Sequence, residues 1–422
     1  MAKRFTWMGI FVWSCASFFY LYEYFLRVSP SVMVKELMAT FQVNAGAIGV
    51  LTAIYFYAYS PMQIPVGMLM DRYGARRLLS FAALTCGLGS LLFALAPNLV
   101  YAGVGRLLIG LGSSFAFVGI VYVSSHWFAP ALLALLVGLG NSFGMIGAIA
   151  GEDLLSILVN EFGWRQSMFV LAIIGLIGTA IIFLGVRGES KAGHHEPKAT
   201  SLKAVFDNFK LIARNKHSWI NGIMSLTFYA TMSAFAGLWG IPFIVQAYGI
   251  SKVLAATIVS MNFVGWLFGG PILGYFSDRI HNRRLFIIAS AFLALLTLLA
   301  IIYLPPMPIW LLYTTFFFVG IFSSAQILTF PISIEINPEE AKGTAAAFTN
   351  FLVAAGGTFL APLIGYLLDS TWNGKMVGGV PDYTVHDFRI ALAILPIMLI
   401  ATIVLTLFLD DRPYKKSHPK KR

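Results

Sequence analysis

The chain of 422 residues is a succession of apolar runs, many of twenty residues or more, recurring from one end to the other. Each is long enough to cross a bilayer as a helix. A spanning segment must pair its backbone internally, so helices or a closed barrel are the options. The runs lack the roughly ten-residue alternation of barrel strands. Composition agrees, with 58% hydrophobic and 11% charged residues and a mean hydropathy of +0.80, a balance that no soluble domain has. The sequence therefore predicts an all-α membrane protein whose surroundings are the lipid bilayer. The two cysteines, Cys15 and Cys86, both fall inside predicted spans, so neither a disulfide framework nor a metal site is suggested. The net charge of +11 would suggest nucleic acid in a soluble protein. Here the basic residues sit where topology rules place them, and no nucleic-acid partner is expected. The opening MAKRF leads straight into an apolar run and reads as the entry to a first span, not as a removed signal peptide.

Twelve spans are predicted, at 7–34, 45–70, 78–96, 99–125, 131–159, 165–186, 219–247, 253–276, 285–304, 308–333, 343–369 and 389–409. If they alternate, Lys3, Arg4, Arg72, Arg76, Arg77, the basic stretch 187–218, Arg279, Arg283, Arg284 and the tail PYKKSHPKKR share one side. The other side holds Lys35, Arg165, Lys252, Lys375 and Arg389. By the positive-inside rule both termini are cytoplasmic. The polar stretch 191–218 separates a bundle at 1–190 from a second at 219–422. His194 and His195 lie in it without ligand partners and read as solvated linker. Val205, Phe206, Phe209 and Ile212 stand at helical spacing, which suggests a surface-lying amphipathic segment.

The two halves repeat each other. GMLMDRYGARRLL from Gly67 aligns with GYFSDRIHNRRLF from Gly274, GLGSSFAF from Gly110 with GIFSSAQI from Gly320, and GNSFGMIG from Gly140 with TNFLVAAG from Thr349. The three offsets agree to within a few residues, which indicates a duplicated bundle. GMLMDRYGARR also resembles the loop motif of the major facilitator superfamily, G-x-L-x-D-R-x-G-x-R-R, at every defined position. The second copy departs from it at His281, where the motif has glycine. Arg106 in GRLLIGLG and Trp164–Arg165 in FGWRQSMF resemble further motifs of that superfamily. The resemblance spans the chain. It implies two pseudo-symmetric six-helix bundles rocking about a shared site, with alternating access, no cofactor, and a monomer as the default. It casts Gly67, Asp71, Arg72, Arg76 and Arg77, with Asp278 and Arg279, as a gating cluster. Topology alone would also account for the arginines.

One segment, FFYLYEYFLRVSPSVM, places Glu23 and Arg27 in an otherwise apolar span. Four apart, they share a helix face with Tyr20 and Tyr24 beside them, and Pro30 should bend the outer end. Intramembrane charges usually mark substrate or proton pathways. A structural ion pair is the alternative. Glu152 and Asp153 in the fifth span lie at a depth similar to Arg27, and one of them is expected to face it. With Glu23 they are the candidate proton-coupling residues. Arg106 either faces the same cavity or has a snorkelling or helix-packing role. The second half has no charge deep in its spans and offers Tyr229, Trp239, Asn262, Gln326 and Asn350 as an uncharged polar and aromatic wall. Gly237, Gly240 and Pro242 should let the seventh span break. Arginine suits a carboxylate, to which it donates two parallel hydrogen bonds.

YEYFLRVSPSVM followed by QIPVGMLMDRYG also resembles the proteobacterial intraphagosomal transporter family. That resemblance implies proton-coupled uptake of a small carboxylate-bearing solute, an amino acid first, across a bacterial inner membrane. An organic-anion, sugar-acid or nucleoside symporter is the alternative, and a drug exporter or a transporter-like sensor follows. Neither a nucleophile–base pair nor a Walker-type loop points to an enzyme or an ATP-driven pump.

Overall fold

The computed structural model describes residues 7–63, 65–129, 132–186, 202–280 and 282–409. The side chains of residues 71, 134, 202–206 and 340 lie outside that description. The described chain is helical almost throughout. The first half holds α1 (Trp7–Val28), α2 (Val34–Phe41), α3 (Ala45–Met62), α4 (Pro65–Ala94), α5 (Leu99–Ser113), α6 (Ala116–Trp127), α7 (Leu133–Phe162) and α8 (Trp164–Gly185). After α9 (Leu202–Arg214) follow α10 (Lys216–Ala230), α11 (Gly240–Tyr248), α12 (Lys252–Ile280), α13 (Arg283–Tyr303), α14 (Ile309–Ser323), α15 (Thr329–Glu335), α16 (Lys342–Thr371), α17 (Val385–Leu392) and α18 (Ile394–Leu407). A ribbon of β1 (Met376–Val377) and β2 (Val380–Pro381) joins α16 to α17. It turns through Gly378 and Gly379, both at positive φ, the conformation a tight hairpin demands.

Helix starts are written in side chains. Asn44, Asn98, Asn215 and Asn282 cap α3, α5, α10 and α13 by accepting from the first free backbone N–H groups. Thr384 and Asp387 form a reciprocal capping box on α17. Among the described residues, ten helical stretches are long and apolar enough to cross a membrane, covering the third to the twelfth predicted spans. The first two predicted spans do not pass that test as single helices, because they carry Glu23, Arg27 and a run of tyrosines. On α8, Phe169, Ile173, Ile177 and Ile181 face outward at every fourth position. That apolar exterior is the inverse of a soluble helix and is what a lipid surround requires.

The sequence repeat reappears as geometry. α5 ends where the Ser114 hydroxyl donates to Leu111 O at 2.7 Å, and α14 ends where the Ser324 hydroxyl donates to Ile321 O at 2.7 Å. Just before each break a glycine lets two backbones touch. A Cβ on Gly110 would lie 2.0 Å from Tyr55 O, and one on Gly320 would lie 2.0 Å from Asn262 O.

Residues 7–186 and 202–409 meet at the end opposite Trp7 and Leu409, the first and last described residues (the end opposite the termini). There the first turn of α3 donates from Ala45 N and Gly46 N to the Asp369 carboxylate of α16 at 3.2 and 2.8 Å. Tyr383 donates to the same carboxylate. Lys252 pairs with Glu36. Nearer the end with the termini, Asn350 donates to Gln63 Oε1 at 3.0 Å. The amphipathic segment predicted near 205–212 is α9. The side chains of Val205 and Phe206 lie outside the described residues. Ile212 is buried with Phe209 against Phe348, Ala341 and Ala345 at the start of α16, so this face packs on protein where a membrane-surface position was expected.

Candidate central binding site

The site grows from the end of α1. Pro30 has no N–H, so Leu26 O loses its usual helical donor, and the chain tightens into a 3₁₀ turn over Ser29–Val32. The Ser29 hydroxyl donates to Leu26 O at 2.9 Å, and Arg106 on α5 adds two further donors. Its Nη1 donates to Leu26 O at 2.9 Å and its Nη2 to Arg27 O at 3.4 Å. Arg106 thus fastens α5 to the end of α1, and its guanidinium also lies 5.1 Å from the Tyr55 ring centroid, beside the Arg27 cluster.

With the backbone fixed, Arg27 points into a nest of tyrosines. Its Nε donates to Glu23 Oε1 at 2.8 Å and to the Tyr55 oxygen at 3.0 Å. Its Nη2 lies 2.5 Å from the same Glu23 oxygen. Nη1 reaches across the interface to the Tyr229 oxygen of α10 at 2.9 Å. The guanidinium lies 4.2 Å over the Tyr24 ring and 4.9 Å over that of Tyr59. The Tyr55 hydroxyl donates to Glu23 Oε1. Glu23 Oε2 is buried and has no hydrogen-bond partner among the described residues. A charged pair this deep is held by Coulomb attraction and its hydrogen bonds against a large desolvation cost.

On the opposite wall, Tyr229 meets the Trp266 ring edge-on at 6.5 Å. One turn before Trp266, Asn262 is fully buried, and among the described residues neither its amide nitrogen nor its oxygen is bonded. Trp266 Nε1 and Ser323 Oγ are likewise buried and unpartnered. Such groups are rare and costly in a finished core. The helix beside them is irregular. Thr231–Trp239 forms a π-helix between α10 and α11, a form frequent at functional sites. It lies at the glycines where a break in the seventh span was expected.

The other predicted site residues fall elsewhere. Tyr20 packs on Tyr24, Phe117 and Gly144. Trp239 donates to Ala361 O at 3.1 Å and fastens the end of the π-helix to α16. Gln326 donates to Ser225. Glu152 and Asp153 are not brought to Arg27. Both Glu152 oxygens are buried and unpartnered, Ser31 is its polar neighbour on the α1 turn, and Asp153 neighbours Ser260 of α12. Equal depth did not mean facing sides, because Gly144, Gly147 and Gly151 turn the contact face of α7 onto α1. In the loop motif, Gly74 breaks α4 at φ 74°. Gly67 stands in open space, Arg76 Nε donates to Phe183 O at 2.8 Å, and Arg72 and Arg77 are exposed. The Asp71 side chain and His281 lie outside the described residues. In the second copy Asp278 pairs with Arg283 at 3.2 Å, Arg283 with Glu335 at 2.5 Å, and Arg279 donates to Tyr275.

Tyr55 and Tyr59 were not singled out from sequence. The signal is present in AIYFYAYS, where the two tyrosines stand four apart in an apolar run and share a helix face.

A buried polar cluster shared by two packed helical bundles is the architecture of a membrane carrier. The Major Facilitator Superfamily model matches residues 12–241 and again residues 222–422, and the chain belongs to that superfamily. YybO of Bacillus subtilis, an uncharacterized transporter, is 25% identical over 83% of this chain and 85% of its own length. A probable hexose phosphate transport protein of Chlamydia pneumoniae is 22% identical over 88% of each chain. The probable sulfoacetate transporter SauU of Cupriavidus necator is 21% identical over 83% of this chain and 85% of its own. Among solved structures, a point mutant of the nucleoside transporter NupG superposes with a TM-score of 0.77 at 15% identity, over 95% of this chain and 99% of that one. This is a multi-pass membrane protein of the transporter type.

Proposed function

We propose that the chain is a proton-coupled carrier taking up a small carboxylate-bearing solute, an amino acid first, by alternating access of bundles 1–190 and 219–422 about Arg27. The membrane is then a bacterial inner membrane, with both termini cytoplasmic. One observation carries the reading: Arg27 is paired with Glu23 through Oε1 alone, while Oε2 is buried without a partner.

An incoming carboxylate competes with Glu23 for Arg27 through the same two-point geometry. Displaced from the guanidinium, Glu23 is an unpaired buried anion, which is costly. A proton on Glu23 removes that cost, and so does the ammonium of an amino acid seated against it. Tyr229, Asn262, Trp266 and Ser323 are then hydrogen-bonding partners for the rest of the solute. Tyr229 belongs to the second bundle and touches Arg27, so the solute binds where the two bundles meet. A second reading, a symporter for organic anions, has its support in the probable sulfoacetate and hexose phosphate transporters among the relatives. There Glu23 takes the proton and no ammonium is needed.

The test is uptake into proteoliposomes of labelled amino acids, sulfonates, sugar phosphates and nucleosides, with an inward proton gradient imposed and then collapsed. Gradient-driven accumulation of an amino acid is expected. Accumulation of anions alone selects the second reading, and accumulation of none removes both.

A further inference from the structure

At the end opposite the termini a cavity of about 250 Å³ lies between the two halves. The 3₁₀ turn after α1, α2, the end of α7, α11 and the start of α12 surround it. Its charged lining is Lys35, Lys252 and Glu36, with Asn160 and Ser31 as neutral polar groups, and α11 contributes an apolar wall at Pro242. Two cations against one anion make the lining itself net positive, and the neighbouring Glu161 carboxylate is held by Asn160 at 3.3 Å. Lys252 is paired with Glu36, with side chains 21% and 33% exposed. Lys35 has no ion pair among the described residues. Few cations lie on this side of the molecule, and two of them line one cavity.

We propose that this cavity is a receiving site for a small carboxylate-bearing anion, entered from the side opposite the termini. Lys35 supplies an unengaged ammonium. Lys252 supplies a second, which the anion takes from Glu36, because a carboxylate offers Lys252 the chemistry it already accepts from that side chain. The apolar wall accommodates the carbon skeleton. Since Lys252–Glu36 ties residues 202–409 to residues 7–186, occupancy of the cavity loosens a tie between the halves on the side from which the anion arrives. Ser31 borders the cavity and also neighbours buried Glu152, so the cavity adjoins the 3₁₀ turn that follows Arg27 in the chain. Its role in uptake rests on the function proposed above, while its preference for anions stands apart from it.

The test uses the full chain with Cys15 and Cys86 replaced by alanine and Asn160→Cys placed in the cavity wall. The new thiol is alkylated with iodoacetate and, separately, with iodoacetamide, which share a leaving group and differ by the carboxylate. The ratio of the two rates reports the local preference for an anion. One charge a few ångströms away is worth about 1 kcal/mol in water, so Lys35→Gln or Lys252→Gln is expected to lower the ratio roughly fivefold. Glu36→Gln is expected to raise it, and added salt to flatten all three. A ratio that none of these substitutions moves overturns the proposal. In transport, Lys35→Gln is expected to raise KM and leave the maximal rate unchanged. If Arg27→Lys leaves uptake intact while the alkylation preference depends on Lys35, the central-site reading falls and the cavity stands. If Arg27→Lys abolishes uptake and the ratio is flat, the cavity proposal falls and the central site stands.

Discussion

Pro30 leaves Leu26 O without its helical donor, and Arg106 takes up that carbonyl and the next. The fastening is indirect in its effect: it fixes the backbone from which Glu23 and Arg27 project. Arg106→Leu removes the guanidinium donors from both carbonyls, while Leu26 O keeps the Ser29 hydroxyl at 2.9 Å, so a loss of about 1–3 kcal/mol in all is expected, read as a fall in the thermal midpoint of the purified protein. A midpoint equal to that of the native chain would contradict it. At Arg27 the expectation concerns transport. Arg27→Lys keeps the charge and loses the planar fork, so uptake should fall by about 1.5–3 kcal/mol of charged hydrogen bonding, roughly ten- to a hundredfold, with the fold intact by circular dichroism. Glu23→Gln should preserve solute exchange and abolish accumulation driven by a proton gradient. Retention of both would remove Glu23 from the coupling step. The charged pair was legible in the sequence because helical spacing alone puts residues 23 and 27 on one face. Tyr55 and Tyr229 were harder to assign, since their place at Arg27 depends on how three helices cross, which no local pattern encodes.

The same geometry occurs twice at the scale of elements. Gly110 presses on the carbonyl of Tyr55, and Gly320 on that of Asn262. Tyr55 bonds to Arg27 and Glu23, whereas Asn262 has no partner on either amide atom. One ancestral contact thus carries a charged site in one half and an uncharged one in the other. Gly110→Ala and Gly320→Ala each place a methyl carbon against backbone, which cannot give way as a side chain does. Each should destabilise by about 1–3 kcal/mol, the usual cost of overpacking, and by similar amounts. A large effect at one and none at the other, in thermal unfolding, would break the symmetry argument. The repeat was legible from three aligned segments of sequence. The π-helix was legible only as a weakness near Gly237 and Gly240, since glycine marks where a helix can deform without specifying the form taken.

For the whole molecule, the described conformation is closed opposite the termini by contacts of unlike kinds. Gly49 and Gly365 let α3 and α16 approach backbone to backbone. Asp369 stands at the positive N-terminus of α3, where helix dipole and free N–H groups favour a carboxylate. Burial, followed by the hydrogen bond to Asp369, pushes the Tyr383 phenol above its usual range, so Tyr383 remains a donor at neutral pH. None of this closure is visible in sequence, because Asp369 and the α3 backbone it meets are more than three hundred residues apart and Asp369 reads there as an ordinary helix-end acid. Asp369→Asn removes the charge while keeping the shape, and the lost charge–helix interaction is worth about 1–2 kcal/mol. The closed form should lose population accordingly, about tenfold for 1.4 kcal/mol. Thr52, buried two turns inside α3, provides the readout as Thr52→Cys in the cysteine-free chain. Its labelling by a membrane-impermeant maleimide added opposite the termini should speed up roughly tenfold in the Asp369→Asn background, and Tyr383→Phe should act in the same direction with a smaller effect. An unchanged rate in both backgrounds would mean that the glycine contacts hold this end closed without the carboxylate.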